Sequence, residues 1–137
     1  MVGRLASALT EALSPSWSQR VRAGRALAAY THVPEAAEAL AGLLLDTEDT
    51  AVTRQTSEAL ARVGTTASVR LLALAIAGAD DSQADWMETG VLDALVGPDS
   101  APDVAMVCGQ LSRDPEAAVH QGAAEILSWT DGRPGRP

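Results

Sequence analysis

The fold is decided by the sequence at residues 114–127, DPEAAVHQGAAEIL. Its opening aspartate and proline are typical of a helix start, because a carboxylate accepts hydrogen bonds from unpaired backbone N–H groups and proline at the first helical position has no N–H to lose. A second copy, DTAVTRQTSEAL, occupies residues 49–60. In both copies a valine lies eight residues before a leucine, and a glutamate lies two residues before that leucine. The two segments therefore predict one type of helix that is used more than once.

The acidic turn residues recur at a regular interval. Asp49, Asp81 and Asp114 are separated by 32 and 33 residues. Each is followed by a segment of helical periodicity, a short break and a second helical segment. A period of this length is typical of helical repeats, in which one hairpin is too thin to bury its apolar face and must stack on its neighbours.

These segments resemble the first helix of HEAT repeats, especially the short bacterial type that is related to the repeats of phycobilin lyases. The shared pattern is an aspartate-containing turn, Val-Arg, small residues and Ala-Leu, and residues 21–27, VRAGRAL, match it in a shifted register. The resemblance covers about residues 16–129. It implies a short right-handed α-solenoid of about eight antiparallel helices arranged as hairpins, and a protein that acts by binding a partner.

Helix breakers and apolar spacing predict the domain organisation. We expect a single all-α domain over residues 1–129, followed by a disordered tail at residues 130–137. In order, the predicted segments are a capping helix at 2–13, repeats at about 16–45, 49–78 and 81–112, and a C-terminal helix at 114–129.

The predicted core is built from alanine, leucine and valine. Apolar residues make up 47% of the chain, aromatic residues only 3%, and phenylalanine is absent, which favours helices over strands. Ser14 and Pro15 are expected to cap and begin the second helix. The first two helices place these residues on inward stripes at helical spacing: Val2, Leu5, Leu9 and Leu13, then Trp17, Val21, Gly24 and Ala28.

The charge of the chain argues against nucleic acid as its partner. The formal net charge is −8, and all ten basic residues are arginine. Affinity for nucleic acid comes largely from cationic side chains that neutralise phosphates, so an acidic chain is poorly suited to it. The sequence also lacks an apolar run of about 18 residues, the length that a membrane span requires. We therefore expect a cytoplasmic protein that binds neither nucleic acid nor a membrane.

No motif in the sequence predicts catalysis, a cofactor or a metal site. His32 and His120 are far apart, and the single cysteine, Cys108, lies in an acidic part of the chain that opposes a thiolate. Carboxylates such as Asp49 and Asp81 lie at predicted helix starts, where capping is their expected role. We therefore predict a non-enzymatic protein with a buried structural thiol.

An acidic interval predicts the partner-binding surface. Between Arg70 and Arg113 there is no basic residue, so this interval has a negative field that would attract a basic partner. Trp86 lies one position off the apolar stripe, which predicts a partly exposed ring suited to an interface, although packing of that ring between repeats is the alternative. The candidate site residues are Asp81, Asp85, Trp86, Glu88 and Asp103.

A second candidate surface follows from the resemblance. In helical solenoids the second helix of each pair usually lines the concave face. By that rule the binding surface would include Glu35, Glu38, Arg70 and Asp103.

The leading functional hypothesis is a module that binds a basic protein. One alternative is an inhibitor resembling immunity proteins or antitoxins, which would neutralise a basic toxin. Another is an enzyme resembling chromophore lyases or DNA alkylation-repair glycosylases, which the acidic charge and the lack of a catalytic motif disfavour. The sequence leaves open whether the chain is a monomer or a homodimer.

Overall fold

The computed structural model describes residues 2–96 and 104–131, and confirms an all-α fold. Within these residues the chain forms eight α-helices and one short 3-10 turn at Ala28–Tyr30. The helices are α1 (Val2–Glu11), α2 (Trp17–Leu27), α3 (Pro34–Leu44), α4 (Thr50–Val63), α5 (Thr66–Ala77), α6 (Asp81–Ala94), α7 (Val104–Leu111) and α8 (Ala117–Asp131).

Local capping chemistry sets most of the helix ends. Asp49 caps α4 as expected, since its carboxylate accepts a hydrogen bond from the Ala51 N–H at 2.9 Å. Pro34 is the first residue of α3, also as expected. At the end of α4, Gly64 adopts φ 65°, a left-handed conformation that favours glycine.

Two helices begin two residues later than their proline suggests. The Ser14 hydroxyl accepts a hydrogen bond from the Ser16 N–H at 3.1 Å, and Ser16, not Ser14, is the cap of α2. Asp114 likewise accepts from the Glu116 N–H at 3.0 Å, and α8 begins at Ala117. In both cases the proline lies in a turn before the helix. The side chain that precedes the proline accepts a hydrogen bond from the backbone N–H two residues later, which is typical of a turn and not of a helix cap.

Two side chains that were expected in the core are exposed. The first helix ends at Glu11, so Leu13 falls in the turn after it and is 87% exposed. Trp17 is the first residue of α2, at the very end of the inward stripe, and is 53% exposed. At the other end of the chain, α8 continues to Asp131 with Thr130 buried, past the predicted start of the tail.

The helices share one apolar core. The α4 helix packs on α2 and α6, and its contact with α6 is the most extensive in the described part of the chain. The α5 helix packs on α3, α7 and α8, whereas α8 touches α6 only lightly. The largest fully buried side chains include Leu27, Leu40, Leu44, Leu60, Leu72, Met87 and Ile126.

Two of these contacts bring helix backbones together at glycine. A Cβ atom at Gly122 of α8 would lie 1.9 Å from the Ala73 carbonyl oxygen of α5. A Cβ atom at Gly90 of α6 would lie 2.3 Å from the Arg54 carbonyl oxygen of α4. Glycine is therefore required at both positions for the observed helix separation.

Ion pairs join helices to distant turns. The buried Arg20 of α2 donates from Nε to Asp46 Oδ1 at 3.1 Å, and Arg54 of α4 contacts Asp93 of α6 at 2.7 Å. Arg70 of α5 binds Asp114 through Nε at 2.7 Å and through Nη2 at 3.2 Å. These hydrogen bonds from Arg70, together with one from the Glu116 N–H, hold the pKa of the Asp114 carboxyl below its ordinary value of 3.8.

We expect Gly122→Ala to lower the free energy of unfolding by about 1–3 kcal/mol, because the added methyl group forces α8 away from α5. Gly109→Ala is the matched control, since a Cβ atom there meets nothing within 4 Å. That control should stabilise α7 by up to about 1 kcal/mol through helix propensity. Urea unfolding, monitored by circular dichroism, measures the free energy of unfolding of both variants. Equal effects of the two substitutions would contradict the close contact.

The pairing of Asp114 predicts a pH-dependent contribution to stability. Because its pKa is lower in the folded chain than the ordinary 3.8, the contribution is fully present above that value and is lost as the pH falls through the lower, folded-state pKa. Wild type should therefore exceed Asp114→Asn in stability at neutral pH, and the difference should shrink in acid. Urea titrations from about pH 7 to about pH 3 test this. A difference that stays constant with pH would contradict it.

Candidate functional site

A cleft separates the turn before α4 from the start of α6. Its volume is about 170 Å³. The Gln83 side-chain amide of α6 donates to the Leu45 carbonyl oxygen at 3.0 Å, and this bond holds the two walls together. The lining side chains come from both walls: Asp46, Thr47, Glu48, Asp49, Thr50 and Thr53 from one, and Asp80, Ser82, Gln83 and Trp86 from the other.

Trp86 is the large apolar side chain of this cleft. It is half-buried, whereas its neighbour Met87 and the following Val91 are fully buried. This agrees with its predicted position at the edge of the apolar stripe. A half-buried indole offers a broad apolar surface to a ligand together with an N–H donor.

Three carboxylates of the cleft have structural roles. Asp49 caps α4, and Asp80 caps α6 by accepting from the Gln83 N–H at 2.8 Å while the Gln83 side chain accepts from the Asp80 N–H at 2.9 Å. Asp46 accepts from the Asp49 N–H at 2.8 Å and pairs with Arg20. These acids therefore define the shape of the cleft and contribute to its negative potential.

The acids on the outer face of α6 differ from these. Asp81, Asp85 and Glu88 lie four and three residues apart, on one stripe of the helix. Asp81 and Asp85 are exposed and Glu88 is half-buried. None of the ion pairs found in residues 2–96 and 104–131 involves them, in contrast to Asp93 on the same helix.

The structure thus brings four of the five predicted site residues onto α6, and the fifth, Asp103, lies outside the described residues. Sequence reasoning did not place the turn at residues 46–50 beside Trp86, because the two are more than 30 positions apart. It also missed the pairing of Arg20 with Asp46. The one local signal was the acidic character of the turn, which capping explains equally well.

Among the described residues no hydrogen bond or ring contact joins Cys108, His32 and His120 to one another. Cys108 is 1% exposed, as predicted for a structural thiol, and burial raises its pKa to about 11. The exposed His32 ring lies 6.3 Å from the Tyr30 ring, while the exposed His120 contacts the Asp114 carbonyl oxygen through Nε2. Across the described ranges no group of three or more potential ligands is arranged to hold a metal ion.

A separate groove lies between α1 and α3. Glu35 and Glu38, which were expected on the concave face, line it together with Leu9, Leu13 and Leu43. Arg70, expected on the same face, is bound instead to Asp114 and Glu116.

None of the helices in the part of the chain that the structure describes is both long enough and apolar enough to cross a membrane.

Comparison with known proteins identifies the family. The family model for HEAT repeats matches residues 6–96, which is about two thirds of the chain. No curated protein and no solved structure matches the chain significantly. The matched residues run from α1 through α6 and include the turn at residues 46–50 and Trp86. The chain therefore belongs to the HEAT-repeat family.

Proposed function

We propose that this chain is a non-enzymatic scaffold that binds a basic segment of a partner protein through the outer face and the adjoining cleft of α6. HEAT repeats are generally protein-interaction scaffolds, and the family is typically non-catalytic. Our proposal gives that general role a location and a chemistry. We call Asp81, Asp85, Trp86 and Glu88 the α6 surface.

The observation that carries the proposal is that α6 bears both unpaired acids on its outer face and a half-buried tryptophan that lines the adjoining cleft. Every other acid of α4 and α6 discussed above is committed to a cap or an ion pair, whereas Asp81, Asp85 and Glu88 have no such role in the described residues. Solvent-exposed carboxylates steer a cationic partner and set its orientation. A tryptophan on the same helix supplies the kind of apolar contact that commonly dominates interface energetics.

The enzymatic alternative has less support. A thiol whose pKa is raised to about 11 is almost entirely protonated at neutral pH, so Cys108 is a poor nucleophile. DNA alkylation-repair enzymes of similar helical pattern use a basic concave face, whereas the grooves and clefts described here are lined with Glu35, Glu38, Asp46 and Asp80. The inhibitor hypothesis shares the α6 surface with our proposal and differs only in the partner.

Affinity capture from the source cells, followed by measurement with the purified partner, tests the proposal. Two variants probe the α6 surface: the charge variant Asp81→Asn/Asp85→Asn/Glu88→Gln and the aromatic variant Trp86→Ala. We expect a basic protein to be captured by wild type and to bind Trp86→Ala more weakly by about 1–2 kcal/mol. The charge variant should lose most of the salt dependence of binding, because that dependence arises from exposed charges.

Glu125→Gln is the matched control, because Glu125 is an exposed acid on α8 and belongs to no ion pair in the described residues. Thermal unfolding must show that each variant is folded. If both α6 variants retain the partner with wild-type affinity, the α6 surface is not the contact. If wild type captures no protein but shifts DNA at physiological salt, the scaffold proposal itself is wrong.

A further inference from the structure

The groove between α1 and α3 has a volume of about 510 Å³. Both helices pack on α2, but they touch each other only lightly, so an opening remains between them. A volume of this size is in the usual range for ligand sites, about 300–1,000 Å³. The groove belongs to the N-terminal end of the fold and contains none of the α6 surface.

The walls of the groove are apolar. Leu9 and Leu13 come from α1 and the turn after it, and Ala39 and Leu43 come from α3. Leu13 is 87% exposed, the largest value for any large hydrophobic side chain in the described residues. Water in contact with such a surface is displaced favourably by an apolar ligand, and contiguous exposed apolar surface commonly marks an interaction site.

Gly42 keeps the groove open. It lies inside α3, where glycine costs up to about 1 kcal/mol relative to alanine. Nothing lies within 4 Å of a Cβ atom built there, so packing against another helix does not require glycine. This distinguishes it from Gly90 and Gly122, which are in contact with a neighbouring backbone. The space that a side chain at position 42 would occupy belongs to the groove.

The rim of the groove is acidic. Glu35 and Glu38 are exposed, and none of the ion pairs within residues 2–96 and 104–131 involves either of them. Asp46, at one end, is already paired with Arg20, and no basic side chain is among the residues that line the groove. Two like charges three residues apart on a helix repel each other, and a cation placed between them would relieve that repulsion.

We propose that the α1–α3 groove binds a basic amphipathic helix of a partner protein. The apolar face of that helix would lie on Leu9, Leu13 and Ala39, in the general manner of a helix docked in a groove. Glu35 and Glu38 are separated by about 4.5 Å along the axis of α3. Arginines one turn apart on the docked helix would match this spacing and carry the complementary charge. The site is independent of the α6 surface, because neither its walls nor its rim includes α6.

Two synthetic helical peptides of about 14 residues test the proposal. Because an isolated helix of this length is only marginally stable, both peptides receive the same capped ends. Both peptides carry leucines spaced alternately three and four residues apart, so that the leucines form one apolar face of the helix. One carries arginine at the flanking positions, and the other carries glutamate there. Binding of each labelled peptide to the full chain is measured by fluorescence anisotropy at two salt concentrations.

The decisive variant is Gly42→Leu, whose Cβ atom meets nothing within 4 Å and whose longer side chain would occupy the groove. It should keep or raise the melting temperature, because leucine is a better helix former than glycine, and it should weaken binding of the arginine peptide by at least about tenfold. Gly109→Leu makes the same change at an exposed helical glycine with open space around it, and should bind like wild type. The charge variant Glu35→Gln/Glu38→Gln should bind more weakly and with less dependence on salt.

Several results would overturn the proposal. These are no binding of the arginine peptide to wild type, unchanged binding to Gly42→Leu, and equal binding of the two peptides. If sedimentation shows a wild-type dimer that Gly42→Leu converts to a monomer, the occupant is a second copy of this chain. If Gly42→Leu fails to fold, the Glu35→Gln/Glu38→Gln variant tests the proposal instead. Unchanged affinity of that variant for the arginine peptide would contradict the proposal.

Discussion

Close contact between helix backbones is the constraint on which the rest of this structure depends. At Gly90, α6 lies so near α4 that a Cβ atom would be 2.3 Å from the Arg54 carbonyl oxygen, and the Ser57 hydroxyl donates to the Met87 carbonyl oxygen at 2.8 Å across the same interface. Helix pairs are ordinarily separated by about 8–10 Å, depending on the side chains between them. Because α6 also carries Trp86, this contact determines how far the α6 surface stands from the turn at residues 46–50.

Acidic residues in the described part of the chain differ in their partners. Asp46 and Asp114 each accept backbone N–H groups in a turn and also bind an arginine from another helix, so a single carboxylate both shapes a turn and attaches it to the core. Asp85 and Glu38 have no such partners among the described residues. Their desolvation would cost free energy unless a cation accompanied it. This is the physical reason why a basic partner suits both proposed surfaces.

The α1–α3 groove and the cleft beside Trp86 have one lining residue in common. Asp46 lines the α1–α3 groove and also the cleft beside Trp86, while its carboxylate is held by the buried Arg20. The groove has apolar walls and an acidic rim, whereas the α6 surface consists of acidic side chains and one tryptophan. A partner with two basic segments would contact both, and the turn at residues 46–50, in which Asp46 accepts two backbone N–H groups, would lie between them. Linked contacts of this kind raise affinity without requiring strong individual sites.

The sequence by itself determined the all-α class, the HEAT-repeat pattern and most helix ends, because caps such as Asp49 and breakers such as Gly64 act through bonds only a few residues long. It also placed Asp85, Trp86 and Glu88 in one predicted helix with Asp81 at its start, because all four fall within eight consecutive positions. Only the tertiary structure placed α8 against α5 and set the turn at residues 46–50 opposite Trp86. Those features depend on the distance at which helices pack, and side chains far apart in sequence decide that distance.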